Sequence, residues 1–567
     1  MKAKIYLHIH TTLLLLSFCN LTTKSTNVEN AYFNLAEAFK NEKNINEAIT
    51  YYQKALERNP QHLTTLFSIG HLYLNQNDYD IAIEYFKRRL AIQPKCEKTE
   101  WGIGKAYDKK KELKVAIEHY QKAIKINPKF MGAYKDLIEA LKKNKNINLA
   151  LEICKKALKY NPLDITIRNK FIDLLKNQKK FEEAIEQCNQ LIKIAPNNQN
   201  KIKKAHTLSL CNKEDKAIEI FKEILKEHPN NTKIIYNIAL LNKKKGEYEK
   251  AIALYKKILE SEPNNRKSNL GISQAYLALG DFKNGWKTLS KYYYNKQAKS
   301  RLTSTNDINN NTILIQGEWY SDDMIQLIRY AKIIKEMGAK SVIIQSPNNL
   351  IPLFKNLPYV DKVVNMNKGE ACTFNKHIPI SCIPHLFETT EKTIPRQIPY
   401  IKAPQELVDF WQKKLLHDPN FKIGIYISKT SNIPAHKLLQ LSNIETINAY
   451  ILSNQSNTEY LKELPTSTII QSFGKGFIEH PEDILNLSAL LQNLDLIITC
   501  DSYVAHLAGA MGVPVWIIVP NIANYRWMKE KTDSPWYPTM RIFRQDSQET
   551  WQPTIDKIYK CLQELLG

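Results

Sequence analysis

The chain has 567 residues, and its hydrophobic content of 43% with 10% aromatics is ample for packed cores, which excludes wholesale disorder. Single cores stop growing at roughly 250–300 residues, so this length predicts several domains. The formal net charge of +23 comes mostly from lysines scattered along helical stretches. Because these lysines are not gathered with arginine into one block, no nucleic-acid partner is expected.

Residues 1–28 are predicted to form a leader segment. The stretch MKAKIYLHIHTTLLLLSFCN has a basic start and an apolar part of signal-peptide length, which is too short to span a membrane. A cleaved export signal and a retained amphipathic leader both fit this pattern. The nine cysteines form no CxxC pair, so they predict neither a zinc site nor a disulfide framework and suit a reducing compartment. We therefore expect a cytoplasmic protein without a transmembrane span, with an exported or membrane-associated protein as the alternative.

Residues 29–294 repeat one pattern at a nearly constant period of 34 residues, with one step of 33. The recurring residues are Ala48, Ala82, Ala116, Ala150, Ala184, Ala217 and Ala251, and Pro60, Pro94, Pro128, Pro162, Pro196, Pro229 and Pro263. An eighth unit has Gly285 at the alanine position and no closing proline. The period, and the small residues where paired helices touch, resemble the tetratricopeptide repeat. The resemblance implies an α-solenoid of about eight helix pairs.

A stack of such units has a groove, because each unit buries its apolar face only against its neighbours. The resemblance implies that a protein or a peptide binds in this groove. A passive spacer is the alternative interpretation.

After the repeats, residues 295–311 are predicted to be a polar linker, and short apolar runs then alternate with helical stretches. The apolar runs predict strands at TILIQ (312–316), SVIIQS (341–346), VDKVV (360–364), KIGIYIS (422–428), NAYILS (448–453), TIIQSF (468–473), DLIITC (495–500) and PVWIIV (514–519). Two such series imply two Rossmann-like lobes with a cleft between them. The first lobe is predicted at residues 312–405 and the second at residues 406–567, which end in a C-terminal helix.

The segment DLIITCDSYVAHLAGAMGVPVWIIVP places polar residues directly after a buried strand. Asp501 and Ser502 end this strand and begin a helix of small residues. Because the flanking strands must be parallel, both residues lie at the edge of the sheet where ligands gather. The start of the helix offers unpaired backbone N–H groups and a positive dipole end, which suits a phosphate. Helix capping by either side chain is the alternative interpretation.

This segment, with NYRWM and DSPWYPTMRIFRQ after it, resembles the second lobe of GT-B glycosyltransferases related to bacterial heptosyltransferases. The similarity covers roughly residues 280–567 and is closest to the subgroup that carries tetratricopeptide repeats in front. The fold class that it implies is α + α/β, an N-terminal solenoid followed by a GT-B domain of two Rossmann-like lobes. It also implies a nucleotide-sugar site formed by Asp501, Ser502, Tyr503, His506 and Arg526.

The first lobe departs from the family pattern. The stretch GEWYSDDMIQLIRY keeps Asp323, which aligns with the family's general base, but has Tyr320 and Asp322 where relatives carry glycines. In the second lobe, the loop SKTSNIPAHKLL has lost most of the basic run that relatives place there. Lys429 and Lys437 are the substitutes that remain for a cation beside the leaving diphosphate.

The resemblance implies an inverting, metal-independent transfer of a hexosyl or heptosyl unit. Asp323 is expected to be the catalytic base, and the repeats are expected to recruit the acceptor. The nucleotide-sugar donor is a substrate, and neither a cofactor nor a bound metal is expected. The alternative is a protein-binding scaffold whose transferase domain has lost catalysis. The lost glycines favour the scaffold, whereas the intact segment 495–546 favours the enzyme.

Overall fold

The computed structural model describes residues 28–293, 300–318, 321–428, 444–452, 470–472, 483–546 and 550–567, together with residues 431, 433, 434, 437, 438 and 441. The predicted leader lies outside these residues except for Val28, and so do Tyr320 and Lys429. The chain divides into two compact units, of which the first ends at Ile224 and the second begins at Leu225. None of the helices in the described ranges combines the length and the apolar content needed to cross a bilayer.

Residues 28–293 form sixteen successive α-helices, which confirms the helical array predicted from the period. The helices are α1 Val28–Asn41, α2 Ile45–Arg58, α3 Leu63–Gln76, α4 Tyr79–Ile92, α5 Glu97–Lys109, α6 Leu113–Ile126, α7 Met131–Lys143, α8 Ile147–Tyr160, α9 Ile165–Asn177, α10 Phe181–Ile194, α11 Asn198–Leu210, α12 Glu214–Glu227, α13 Thr232–Lys244, α14 Tyr248–Ser261, α15 Arg266–Ala278 and α16 Phe282–Tyr293. The seven recurring alanines lie on the second helices of the pairs and are fully buried.

Within the first unit, the first helices of successive pairs contact one another. Helix α3 contacts α5, α5 contacts α7, and α7 contacts α9. These helices therefore form a continuous surface along the stack, which we call the first-helix face and define as α1, α3, α5, α7 and α9.

Helices α13–α16 pack in the second unit, together with the α/β region. Ile522 fills the space beside Gly246, where an added Cβ would lie 2.7 Å from the Cδ1 atom of Ile522. Trp286 of α16 packs edge-on against Tyr525 and Trp536, with ring centroids 6.1 Å apart in both pairs. The last repeats are therefore built into the α/β region, and the predicted boundary at residue 294 does not end a compact unit.

The described part of the predicted linker, residues 300–311, packs against the first of two β-sheets that follow it in the chain. Leu302 and Ile308 are buried, although the sequence 295–311 reads as polar. The backbone N–H of Leu302 donates to the carbonyl of His377 at 2.9 Å, and the N–H of His377 donates to the carbonyl of Ser300 at 2.8 Å. Residues 300–302 thus pair in parallel with the strand that contains His377 instead of forming a free linker.

The α/β region contains two sheets whose strands all pair in parallel. The first sheet has the strand order β3-β2-β1-β4 and the second the order β10-β9-β8-β5-β6-β7. Its elements are β1 Thr312–Gln316, α17 Ser321–Leu327, α18 Arg329–Glu336, β2 Ser341–Ser346, α19 Ile351–Lys355, β3 Lys362–Asn365, β4 Lys376–Pro379, α20 Ile383–Leu386, α21 Gln405–Leu415, β5 Phe421–Tyr426, β6 Ile447–Ile451, β7 Ile470–Ser472, α22 Asp483–Leu491, β8 Leu496–Cys500, α23 Tyr503–Met511, β9 Val515–Val519, β10 Met540–Arg544 and α24 Gln552–Leu566. Both orders are those of doubly wound α/β folds.

The helical stretch after β1 is interrupted at Ile328, which separates α17 from α18. The hydroxyl of Tyr400 donates to the carbonyl of Ile325 at 3.0 Å, and Nε of Arg329 donates to the carbonyl of Gln326 at 2.7 Å. In an uninterrupted helix, each of these two carbonyls would instead accept a hydrogen bond from the backbone N–H group four residues later. Insertion of side chains into the hydrogen-bond ladder explains the break between α17 and α18.

We expect Gly285→Ala to destabilise the protein, although alanine stands at this position in the other seven units. An added Cβ would lie 2.5 Å from Cγ and Cδ2 of the buried Leu277, and overpacking of this kind costs about 1–3 kcal/mol. Thermal unfolding followed by circular dichroism should therefore give a lower midpoint than that of the wild type.

The control for this substitution is Gly132→Ala in α7. There the nearest atom to an added Cβ belongs to the Phe130 ring, at 3.3 Å, and alanine in a helix gains about 0.5–1 kcal/mol over glycine. This variant should be neutral or stabilised. An unchanged or raised midpoint for Gly285→Ala would show that Leu277 does not restrict the position.

Candidate ligand site

The second unit contains a cavity of about 330 Å³ where the two sheets and the last repeat helices meet. Its walls come from α15 and α16, from α17, from the turns after β4 and β8, and from segment 524–526 after β9. The lining residues are Leu270, Ser273, Gln274, Leu277, Leu289, Tyr292, Tyr293, Asp322, Asp323, Ser381, Asp501, Asn524, Tyr525 and Arg526.

The topology places this cavity where doubly wound sheets bind ligands. The strand order reverses between β1 and β4 in the first sheet and between β8 and β5 in the second. Residues after the carboxyl ends of the strands at such a switch point form the ligand crevice. Asp322 and Asp323 follow β1, Ser381 follows β4 and Asp501 follows β8. Side chains from both switch points therefore line one cavity.

The guanidinium of Arg526 links the second sheet to the first. It forms an ion pair with Asp323 and donates from Nε to Oε1 of Gln326 at 2.9 Å, and both partners lie on α17. Burial of Arg526 disfavours its charge, but the neighbouring Asp323, Tyr525 and Asp501 raise its pKa well above the ordinary value. The arginine expected to bind phosphate thus contacts the aspartate expected to be the catalytic base.

Asp501 and His506 face each other with Oδ1 and Nε2 3.8 Å apart, which is too long for a hydrogen bond. His506 is fully buried, and its Nδ1 hydrogen-bonds to the hydroxyl of Tyr537 at 2.9 Å. Among the described residues, neither Oδ1 of Asp501 nor Nε2 of His506 has a hydrogen-bond partner. Burial alone would raise the pKa of Asp501, but His506 and Arg526 hold it below its ordinary value.

Two further carboxyl groups lie at the cavity: Asp322 lines it, and Glu318 stands behind the lining residues Tyr293 and Ser381. Burial raises the pKa of Asp322, although His506 and Arg526 attract its charged form. Glu318 is 7% exposed and accepts hydrogen bonds from the hydroxyl of Tyr293 at 2.5 Å and from the backbone of Ser381 at 3.1 Å. Burial raises its pKa as well.

The remaining predicted site residues lie outside the cavity lining. Oγ of Ser502 accepts from the backbone N–H of Ala505 at 3.4 Å, so Ser502 caps α23, as the alternative interpretation proposes. Tyr503 packs edge-on against Tyr426, with ring centroids 5.7 Å apart, and burial raises its pKa.

Lys437 is also engaged elsewhere, because it hydrogen-bonds to Gln552 of α24 and does not line the cavity. Of the predicted donor-binding residues, the lining contains Asp501 and Arg526, and it also contains the predicted base Asp323. His506 stands directly behind Asp501.

The sequence analysis did not identify Glu318 as a site residue, and it did not predict that α15 and α16 form a wall of the cavity. Glu318 had a signal, since it follows the end of β1 by two residues, and Asp501 follows the end of β8 by one. Tyr293 and Gln274 had none, because the repeat period marks the positions buried between helices and says nothing of those that contact another domain.

Comparison with known proteins supports the repeats. Residues 27–95 and 67–129 each match a family described as tetratricopeptide repeat, and residues 167–302 match the N-terminal TPR repeats region of Psidin. None of these three matches extends beyond residue 302. The chain therefore carries tetratricopeptide repeats, which are a protein-binding architecture.

One curated relative is protein FlbA of Caulobacter vibrioides, with 24% identity over 196 residues, 32% of this chain. The match spans about a third of the length of that protein. A solved structure of the C-terminal part of a TPR repeat-containing protein from Cytophaga hutchinsonii is 19% identical, with a TM-score of 0.37, and covers 42% of this chain and 99% of its own. A structure of MamA is 20% identical, with a TM-score of 0.28, and covers 30% of this chain and 93% of its own.

We expect Glu318→Gln to gain stability relative to the wild type as the pH rises from about 4 to about 7. The folded pKa of Glu318 lies above that of the unfolded chain, chiefly because the group is buried. Its favourable contribution is present below the unfolded pKa and is lost as the pH rises through the folded pKa. Glutamine cannot ionise and keeps an oxygen for the N–H of Ser381.

Midpoints of thermal unfolding, measured by calorimetry over this pH range, check the expectation. The difference between variant and wild type should grow with pH. A constant difference, or one that shrinks as the pH rises, would show that Glu318 ionises without cost.

Proposed function

We propose that this protein binds a protein partner through its repeats and a nucleotide sugar in the cavity, and that it transfers the sugar to the partner. The observation that carries the proposal is the meeting of two switch points in one cavity, because that position is where doubly wound sheets hold nucleotides. A GT-B arrangement of two Rossmann-like lobes accounts for such a cavity. The proposal places the chain in the cytoplasm, where nucleotide sugars are made.

The start of α23 suits the donor diphosphate. Its first backbone N–H groups lack helical partners, and the positive end of the helix dipole favours negative charge. Asp501 stands beside this helix start and lines the cavity, so its carboxylate is placed to accept hydrogen bonds from sugar hydroxyls.

Asp323 is the proposed base for the transfer. An acceptor hydroxyl attacks the anomeric carbon and gives its proton to Asp323, while the bond from that carbon to the diphosphate oxygen breaks and the diphosphate leaves with the electron pair. Arg526, which is ion-paired with Asp323, would supply positive charge for the departing oxygen.

Titration of the full chain with UDP-, GDP- and ADP-sugars, followed by calorimetry, tests the donor site. At least one should bind, and Asp501→Asn should weaken that binding by about tenfold, as expected for a lost hydrogen bond to a charged group. Asp323→Asn should leave binding within about threefold and lower turnover by about 10²–10⁴-fold. Absence of binding by every nucleotide sugar would refute the donor site.

A second candidate function is a protein-binding scaffold whose α/β region has lost catalysis. It is favoured by the contact between Asp323 and Arg526, which occupies both proposed catalytic groups, and by Asp322, which adds a negative charge beside a diphosphate. This function would be established instead if the protein bound a donor without transferring its sugar, and if Asp323→Asn bound the donor as tightly as the wild type.

An acidic peptide is the partner that the first-helix face fits best. Helices α7 and α9 of this face carry six lysines and arginines and three aspartates and glutamates. The half-buried rings of Phe67, His71 and Trp101 follow one another on α3 and α5, with centroids 4.4 Å and 6.0 Å apart. Nζ of Lys105 lies 4.6 Å from the Trp101 ring. Aromatic surface beside lysine suits a segment that carries both acidic and apolar side chains.

We expect Lys105→Glu to weaken the binding of such a peptide by about tenfold, because it replaces an attraction with a repulsion at the centre of this surface. Fluorescence anisotropy with acidic and basic labelled peptides of equal length measures the effect. Lys122→Glu, an identical charge change on an exposed position of the second helix α6, is the control and should have little effect. Equal losses for both variants would mean that only the overall charge matters.

A further inference from the structure

We propose that Asp322, Asp501 and His506 form a binding site for one divalent first-row transition-metal ion. One carboxylate oxygen of each aspartate and one ring nitrogen of the histidine all lie within 4.8 Å of one another. Two ligands on opposite sides of such an ion are about 4.2 Å apart at bond lengths of about 2.1 Å. The three groups therefore need only small side-chain movements to reach one ion.

His506 presents one ring nitrogen to the cluster and uses the other for Tyr537. Nδ1 of the fully buried ring hydrogen-bonds to the hydroxyl of Tyr537 at 2.9 Å. When Nδ1 carries the ring hydrogen and donates it to this hydroxyl, Nε2 has the lone pair that a metal ion binds.

Nε2 of His506 and Oδ1 of Asp501 both lack a hydrogen-bond partner among the described residues. Nε2 lies in a fully buried ring, 3.8 Å from Oδ1 of Asp501. In the tautomer with the hydrogen on Nδ1, these two atoms are buried acceptors that face each other, which is unfavourable. A bound cation satisfies both acceptors and the carboxylate of Asp322.

The ligand set indicates the class of metal. Imidazole suits zinc, iron and nickel, whereas carboxylates suit manganese and magnesium, so one nitrogen with two oxygens favours Mn²⁺ or Zn²⁺ over Mg²⁺ or Ca²⁺. A ligating histidine ordinarily donates its other N–H to a neighbouring acceptor, which orients the ring. The hydroxyl of Tyr537 supplies that acceptor here.

The site goes beyond the proposed sugar transfer and does not depend on it. Three protein ligands leave coordination positions free on an ion at this place, and the start of α23 is adjacent. The positive ion would offset the carboxylates that otherwise repel a diphosphate. Metal binding is therefore measured with the metal alone, so that its failure is distinct from failure of nucleotide-sugar binding.

The experiment is a titration of the tag-free full chain with MnCl₂ after removal of metals by a chelator, followed by electron paramagnetic resonance. One ion should bind per chain, and pulsed spectra should show coupling to one imidazole nitrogen. Asp322→Asn should weaken binding by at least about tenfold. His506→Gln should remove the nitrogen coupling, and glutamine can still hydrogen-bond to Tyr537.

Glu318→Gln is the matched control, because it removes a carboxyl group beside the cavity but leaves the three ligands and the ion pair of Arg526 with Asp323 in place. It should keep Mn²⁺ affinity within about threefold. Equal losses at positions 322 and 318 would overturn the proposal in favour of a general electrostatic effect. Nitrogen coupling that persists in His506→Gln, or no binding of Mn²⁺ or Zn²⁺ below about 1 mM, would also overturn it.

Discussion

The buried ion pair between Arg526 and Asp323 is the interaction on which the candidate site depends. Arg526 comes from the segment after β9 of the second sheet, and Asp323 from the helix after β1 of the first sheet. The pair therefore holds the carboxyl edges of the two sheets towards one cavity. Removal of one partner of a buried pair leaves an unpaired charge and costs about 3–5 kcal/mol. The pair acts together with other contacts between the two sheets, such as the hydrogen bond from Arg329 to the carbonyl of Trp536 at 2.8 Å.

The last repeat also helps to form the candidate site. The hydroxyl of Tyr293, at the end of α16, donates to Glu318, and Glu318 also accepts from the backbone after β4. The repeat array thus contributes a wall of the cavity as well as a surface for a partner.

The strands that the sequence predicts are those with the strongest apolar signal. Buried strands such as β8 and β9 read as unbroken apolar runs, and each was predicted to within a residue. The two strands that were missed, β4 and β10, lie at sheet edges and mix charged residues or proline with apolar ones. An edge strand buries less of its surface, so its composition departs less from that of a loop.

The candidate site could be predicted only in part. Asp323, Asp501 and Arg526 each carried a local signal, and the structure brings them to one cavity. Their pairing could not be predicted, because Asp323 and Arg526 are 203 residues apart and nothing in their local sequence specifies the contact. Glycine at position 285 was likewise visible as an exception to the repeat, but its cause, the side chain of Leu277, belongs to the preceding helix.

A crystal structure of the full chain grown with the nucleotide diphosphate of the tightest-binding donor is the most direct test of the donor site. The diphosphate should lie at the start of α23, in the cavity lined by Asp501 and Arg526. A nucleotide found elsewhere, with this cavity unchanged, would show that the cavity is not the donor site.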